Sequence, residues 1–300
     1  MLKTIENYLG LRRATGFAMS NAEYLLKSFA AFAAERGQSH VHTQTAIDWA
    51  AFEPSVAQRD ARLKAVCRLV RHVRVEDERH ELPPANHFGA RKRRRSPHIY
   101  SAAELDLLIA AALQLRPKGL RAQTYATLIS LLAATGLRIS EALKLTVADV
   151  TRDGLLIRET KFRKTRLVPL HDTTTAAMQR YLALRQSLAD DDPVFIGKRG
   201  GPLRYIAVKP TFDRLAGKAG IVTATRRRPR LHDLRHTFAV RALQSSPVGR
   251  SRSGAHMAAL ATYMGHVNIY ATYWYLEATA DLMRDVAAAG ENFISNGRQS

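Results

Sequence analysis

One cysteine in 300 residues, Cys67, leaves no partner for an internal disulfide, as expected of a chain kept in a reducing cytoplasm. No grouping of Cys and His has the spacing of metal ligands, so no metal is expected. A continuous apolar run of about 18 residues is also missing, and no membrane span is expected. The opening Met1-Leu2-Lys3-Thr4-Ile5-Glu6 lacks the apolar stretch of a secretory signal, so no secretion is expected. No G-x-x-x-x-G-K-[ST] loop is present to cradle a nucleotide phosphate. Acidic residues are scarce as well. Asp and Glu number 26 against 46 Lys and Arg, a net charge of +20. Such an excess calls for a polyanionic partner, nucleic acid first and an anionic membrane surface second.

What is present suffices for two ordinary domains, with 46% hydrophobic residues. Ser20-x-x-Glu23 reads as a capping box opening a helix with Leu25, Leu26, Phe29 and Phe32, and Gly37 as its stop. Ser55-x-x-Gln58 repeats the pattern before a stripe of Leu63, Val66, Cys67 and Val70, where Cys67 is core filler. Shorter helical pieces near 2–12 and 44–51 complete a four-helix bundle. Leu82-Pro83-Pro84 then removes backbone donors, and the basic run Arg91, Lys92, Arg93, Arg94, Arg95 resists packing. Residues 83–97 are therefore read as a linker between domains 1–82 and 98–300. The basic run is either a solvated linker or an arm that follows a DNA backbone.

The second domain opens with another capping box, Ser101-x-x-Glu104, ahead of Leu105, Leu107, Leu108 and Leu113. A helix with Tyr125, Leu128, Leu131 and Leu132 is expected to stop at a left-handed Gly136. Gly154–Glu159 and Arg166–Leu170 read as short strands around the polar turn Thr160–Lys164, and helices resume after Thr173. The fold class is mainly α with a small antiparallel β-sheet.

Several residues in this half suit chemistry on a phosphodiester. Arg138, in Thr135-Gly136-Leu137-Arg138-Ile139-Ser140-Glu141, would add its charge to a helix N-terminus, a cradle for a phosphate oxygen, or be a surface arginine near a cap. Lys161 sits at a hairpin tip from which it could donate a proton, with Lys164 as competitor. His232 and Arg235, three apart, share one helical face while Leu231, Leu234 and Phe238 anchor the other. Arginine can fork onto a phosphate and imidazole can exchange protons near neutrality. His236 reads as structural. Arg226, Arg227 and Arg228 lead into this helix as phosphate contacts. Gly265-His266 and Tyr275 follow, but Tyr263, Tyr270 and Tyr273 are equally plausible tyrosines by chemistry alone. Asp190-Asp191-Asp192 is a solvated turn, since three adjacent carboxylates cannot all converge on one ion.

Taken in order, these residues resemble a tyrosine recombinase of the phage-integrase class. That family carries an arginine in a T-G-L-R-x-S-E segment, a hairpin lysine, H-x-x-R, G-H and a tyrosine nine residues beyond that histidine. Thr135–Glu141, Lys161, His232 with Arg235, Gly265-His266 and Tyr275 fit in sequence, over roughly residues 98–285. Thr272-Tyr273-Trp274-Tyr275-Leu276 resembles transposon- and plasmid-borne integrases.

The resemblance implies a two-domain, C-shaped clamp on double-stranded DNA, its first domain a helical core-binding domain. It implies that Tyr275 attacks the scissile phosphate to give a 3′-phosphotyrosyl link and a free 5′-hydroxyl. Arg138 and Arg235 would hold the non-bridging oxygens, Lys161 would protonate the leaving oxygen, His232 would assist at the tyrosine and His266 would steady the phosphate. Neither ATP nor a metal cofactor is implied. A homo-oligomer on DNA is expected, dimer to tetramer, with the tail beyond Leu276 docked on a neighbour. One departure stands out. Gln244–Gly254, rich in Ser, Gly and Arg, reads as a flexible loop that leaves Arg235 and His266 loosely related. It keeps alive a DNA-binding protein of the same fold that no longer cuts. A type IB topoisomerase is a third reading.

Overall fold

The computed structural model describes residues 1–89, 95–158, 165–185, 192–197, 200–223, 225–245 and 250–265, with backbone only at 250–254. It divides into two compact units, Met1–Arg95 and Ser96–Ser300.

The first unit is built on α1 (Leu2–Ala14), α2 (Ser20–Ala34), α3 (Thr43–Ala51) and α4 (Val56–Val73). Their apolar residues recur at helical spacing and meet in one core. Ile5, Tyr8 and Leu9 come from α1, Leu26, Phe29 and Ala33 from α2, and Leu63, Val66, Cys67 and Val70 from α4. Each large aliphatic or aromatic side chain so buried contributes about 1.5–3 kcal/mol. Trp49 of α3 lies edge-on to Phe29 at 5.4 Å and donates its indole N–H to Ser28. Cys67 is buried as expected, its thiol pushed up in pKa by that burial, and it points at the Pro83 carbonyl. Ala85 and Phe88 pack on the same core, so the chain stays on the bundle past its two prolines.

Two capping expectations divide. Ser55 accepts the Gln58 N–H at 3.1 Å, as read. Ser20 does not cap α2; Met19, left-handed at φ 54°, precedes the helix, and Ser20 is already inside its first turn. Glu23 instead bonds Arg13 and Lys27, two cations within reach that outcompete the backbone.

The second unit opens with α5 (Ala102–Leu113), whose capping box is complete: Ser101 and Glu104 exchange side-chain and backbone bonds. Leu108 is fully buried, but Leu107, on the opposite face, is exposed. Helix α6 (Leu120–Thr135) is central, packed by α5, by α8 (Asp172–Arg185) and by α10 (His232–Gln244). It ends at Gly136 with φ 61°, the left-handed stop that its sequence predicts. The short α7 (Ile139–Ala142) follows at once.

A small antiparallel sheet runs in order β1 (Val150–Thr151), β2 (Gly154–Ile157), β3 (Arg166–Val168). Leu155 faces Val168 and Ile157 faces Arg166, and the alternating Leu155 and Ile157 enter the core. Helix α9 (Tyr205–Lys218) adds Val208, Phe212 and Leu215 to that core.

Of the loop expected at Gln244–Gly254, residues 246–249 lie outside the described residues, and the stretch from Arg250 is helical. Helix α10 runs through Gln244 and α11 (Arg250–Tyr263) begins at Arg250. Composition there disfavours helix, and the part of α11 that follows is held by packing on α10. Leu260 and Met264 bury against Ala239, Val240 and Leu243, and His256 bonds the Ala242 carbonyl at 2.7 Å.

Candidate active site

The site begins where α6 stops. Thr135 turns its hydroxyl back to the Leu131 carbonyl, and Gly136 reverses the chain. No other residue fits at Gly136: a Cβ there would lie 2.5 Å from Cδ1 of Phe238, on top of the left-handed φ. The reversal places Arg138 as N-cap of α7. Glu141, three residues on, accepts the Arg138 backbone N–H at 2.9 Å and its Nη1 at 2.8 Å. The Arg138 side chain keeps 32% of its surface exposed.

Helix α10 delivers Arg235 into the same place from the other side. Arg235 is only 2% exposed. Its Nη1 donates to the Gly136 carbonyl at 2.6 Å and its Nη2 to the Met264 carbonyl at 2.7 Å. Arg138 Nη2 reaches the next carbonyl, Gly265, at 3.2 Å. Two arginines thus tie the Gly136 turn to the end of α11, and the relation of Arg235 to the segment leading into His266 is fixed rather than loose. The start of α10 is itself held by Asp233, which is buried, caps the Arg230 N–H and pairs with the Arg230 guanidinium at 2.7 Å.

A third arginine, Arg166 of β3, completes the cluster. Nη1 and Nη2 bond the two oxygens of Glu141 at 3.2 and 2.9 Å, and Nε bonds the Tyr263 carbonyl at 2.9 Å. Its guanidinium lies so close under Gly265 that a Cβ there would be 2.8 Å from Nη1. Gly265, at φ 65°, meets both demands.

Electrostatics follow from this packing. His232 is exposed to solvent, yet partial desolvation lowers its pKa, and the charges of Arg235, Arg230 and Arg138 lower it further, so the imidazole is neutral at pH 7 and able to accept a proton. His236 stands edge-on to it, ring centres 4.7 Å apart, and is pushed down to about 3, chiefly by burial and then by His232. That fits its reading as structural. For Glu141 burial works towards a higher pKa, but the bonds from Arg166 and Arg138 win and keep it ionised. The cluster therefore holds three guanidinium groups against one carboxylate.

Of the six residues singled out from sequence, Arg138, His232 and Arg235 come together. Lys161, His266 and Tyr275 lie outside the described residues, as do Lys164, Asp190 and Asp191. The described strands β2 and β3 flank the Lys161 turn, and Gly265 precedes His266. Among the competing tyrosines, Tyr263 is described: it stacks on Phe238 at 5.4 Å, and burial pushes its hydroxyl up to about 12. That is a packed ring, poorly suited to attack. Arg91, Lys92, Arg93 and Arg94 are outside the described residues, and Arg95 is half-buried. Arg226, Arg227 and Arg228 lie exposed on a turn pinned by Thr223.

Two members of the cluster, Glu141 and Arg166, are not among the residues that the sequence motifs assign to chemistry. Glu141 stood in the quoted motif without a role, although its spacing from Arg138 was a capping signal. Arg166 looked like an ordinary strand residue, and nothing local marks it.

The expectation about metal ligands needs correcting on its premise. His40, Asp77 and His80 bring ligand atoms within 4.8 Å of one another, from positions too far apart for a spacing rule. Their bonding is structural in kind. His80 Nδ1 accepts the Val41 N–H at 3.1 Å, and Asp77 holds the Arg79 guanidinium through both oxygens. A metal on His80 Nε2 would need a proton on Nδ1, where Val41 already donates.

Comparison with known proteins shows the family and a shared fold. The model of the phage integrase family matches residues 100–281. The protein y4rB of Sinorhizobium fredii, described as an integrase/recombinase, is 35% identical over 297 residues, 94% of each chain. The integrase of transposon Tn1549, solved in complex with transposon right end DNA, has a similar fold, with TM-score 0.65 at 18% identity over 97% of this chain and 99% of that one. Lambda integrase, solved as a tetramer bound to a Holliday junction, is similar at TM-score 0.62 and 16% identity, over 91% and 76% of the two chains.

Proposed function

The chain belongs to the phage integrase family of tyrosine recombinases, enzymes that cut and rejoin DNA at specific sites, and we propose that it does so through a 3′-phosphotyrosyl link on Tyr275. The observation that carries this reading is the meeting of Arg138 and Arg235 on the carbonyls of Gly136, Met264 and Gly265, with a neutral His232 near enough to feel both charges.

In the proposed reaction the Tyr275 oxygen attacks phosphorus, its proton passing to His232. The bond from phosphorus to the 5′-oxygen breaks, and Lys161 gives that oxygen a proton. Negative charge builds on the non-bridging oxygens at the transition state. Arg138 and Arg235 meet it with charges already in place, which is where such electrostatic help counts most. His266 donates to one of the same oxygens. The phosphotyrosyl ester conserves the energy of the broken bond, so a 5′-hydroxyl from another strand can reverse the step without a nucleotide.

The partner is duplex DNA. The helical unit and the basic residues Arg91–Arg95 and Arg226–Arg228 serve as backbone contacts, and the domains run 1–82 and 98–300, the linker between them packing on the first through Ala85 and Phe88. Assembly on DNA as dimer to tetramer follows the form in which lambda integrase was solved. Among the described residues no helix is long and apolar enough to cross a membrane, and a cytoplasmic enzyme at the chromosome is the setting we infer. The loop that motivated a non-cutting DNA binder is helical from Arg250, and no observation favours that reading.

A library of nicked duplexes with a randomised window tests the proposal. Protein that survives denaturing electrophoresis attached to DNA, with one sequence enriched, is the expected result. Enrichment by gel shift with no covalent species would overturn it.

A further inference from the structure

Glu141 poses a problem for the arginine beside it. A buried carboxylate 2.8 Å from Arg138 Nη1 competes directly with a phosphate for that charge. Yet Glu141 also fixes Arg138, through its backbone N–H as well as its side chain. A site built only of these two residues would be well positioned and electrically spent.

Arg166 removes the conflict. It bonds both oxygens of Glu141, and its side chain, 13% exposed, sits behind the carboxylate, anchored by the Tyr263 carbonyl and covered by Gly265. We propose that Arg166 is a positioning residue whose guanidinium neutralises Glu141, so that Glu141 can orient Arg138 while Arg138 keeps its charge for the scissile phosphate. This rests on the recombinase reading above. Arg166 does not touch the reacting atoms. It lies on β3, directly after the hairpin that carries Lys161, and its Nε bond to Tyr263 links that strand to the end of α11. One side chain thereby joins three separate segments of the site.

Neutralisation and plain bracing have opposite consequences when Glu141 is changed as well. If Arg166 only braces, removing Glu141 as well takes away a second brace and makes matters worse. If it neutralises, removing both charges restores the balance at Arg138. The probe is inorganic phosphate, titrated into full-length protein labelled on arginine side-chain nitrogen and followed by NMR at the Arg138 Nε–H, assigned by its loss in R138K. Wild type should show a saturable shift. R166A should weaken phosphate binding about tenfold or more, as expected for an unscreened charge at this distance. R166A with E141Q should return to within about threefold of wild type. E141Q alone, nearly isosteric and independent of whether R166A folds, should bind phosphate at least as tightly as wild type.

A double variant as weak as R166A, or E141Q weaker than wild type, overturns the proposal while leaving the phosphate site intact. Absence of any phosphate shift at Arg138 in wild type overturns the recombinase reading of the site together with it.

Discussion

Arg235 and Gly136 stand 99 residues apart and share a 2.6 Å hydrogen bond, from Nη1 of the arginine to the carbonyl of the glycine. Through it the start of α10 and the end of α6 become one object, and the second guanidinium arm extends that object to Met264. Replacing Arg235 with Ala leaves two buried carbonyls without that donor. We expect the catalytic unit to lose about 2–5 kcal/mol of stability, measured by urea unfolding. Arg235→Lys should recover part of the stability but little activity, since an ammonium cannot reproduce the planar fork.

Gly136→Ala should be more damaging than its size suggests. It places a Cβ 2.5 Å from the Phe238 ring and forces an alanine into a left-handed φ of 61°. A loss of at least about 2 kcal/mol is expected. Adding Phe238→Ala should relieve the clash but not the backbone strain, so recovery in thermal unfolding should be partial. Full recovery would mean that the backbone conformation costs nothing.

Stability should fall in mild acid before the carboxylates titrate. His80 and His236, both buried, have pKa values lowered in the folded state, each chiefly by that burial. Their contribution is present above the unfolded histidine pKa near 6.5 and is lost as pH falls below it, because only the unfolded chain takes up the protons. Each such histidine costs up to about 1.4 kcal/mol per pH unit down to its folded value. Unfolding midpoints measured from pH 7.5 to pH 5 should drop steadily, and His236→Gln should flatten part of the slope.

DNA affinity should fall steeply with salt, as required of a chain with a net charge of +20 acting on phosphates. Filter binding of any duplex between 50 and 300 mM salt checks this. Arg226→Ala, Arg227→Ala and Arg228→Ala together should reduce the slope. An unchanged slope would remove that turn from the DNA contacts.

Much of this was legible in the sequence because it is local. The capping box at Ser101 and Glu104, the glycine stop at Gly136 and the stripe through Leu63, Val66, Cys67 and Val70 each depend on residues within one or two turns. Arg138, His232 and Arg235 could be named because their motifs are short. Arg166 could not, since its meaning lies in Glu141 and Tyr263, 25 and 97 residues away. The helical start of α11 was hidden for a related reason: its own residues favour a loop, while the contacts that dock the helix on α10 come later, at Leu260 and Met264. The His40, Asp77 and His80 cluster likewise exists only once the bundle has folded.

The most direct test is to find the residue that carries the DNA. The covalent species captured from the nicked library is digested with nuclease and trypsin, and the nucleotide-bearing peptide is identified by mass spectrometry. The account predicts a single modified peptide containing Tyr275, absent in Tyr275→Phe, while Tyr263→Phe still forms the adduct. A nucleotide on another residue, or an adduct that persists in Tyr275→Phe, would contradict it.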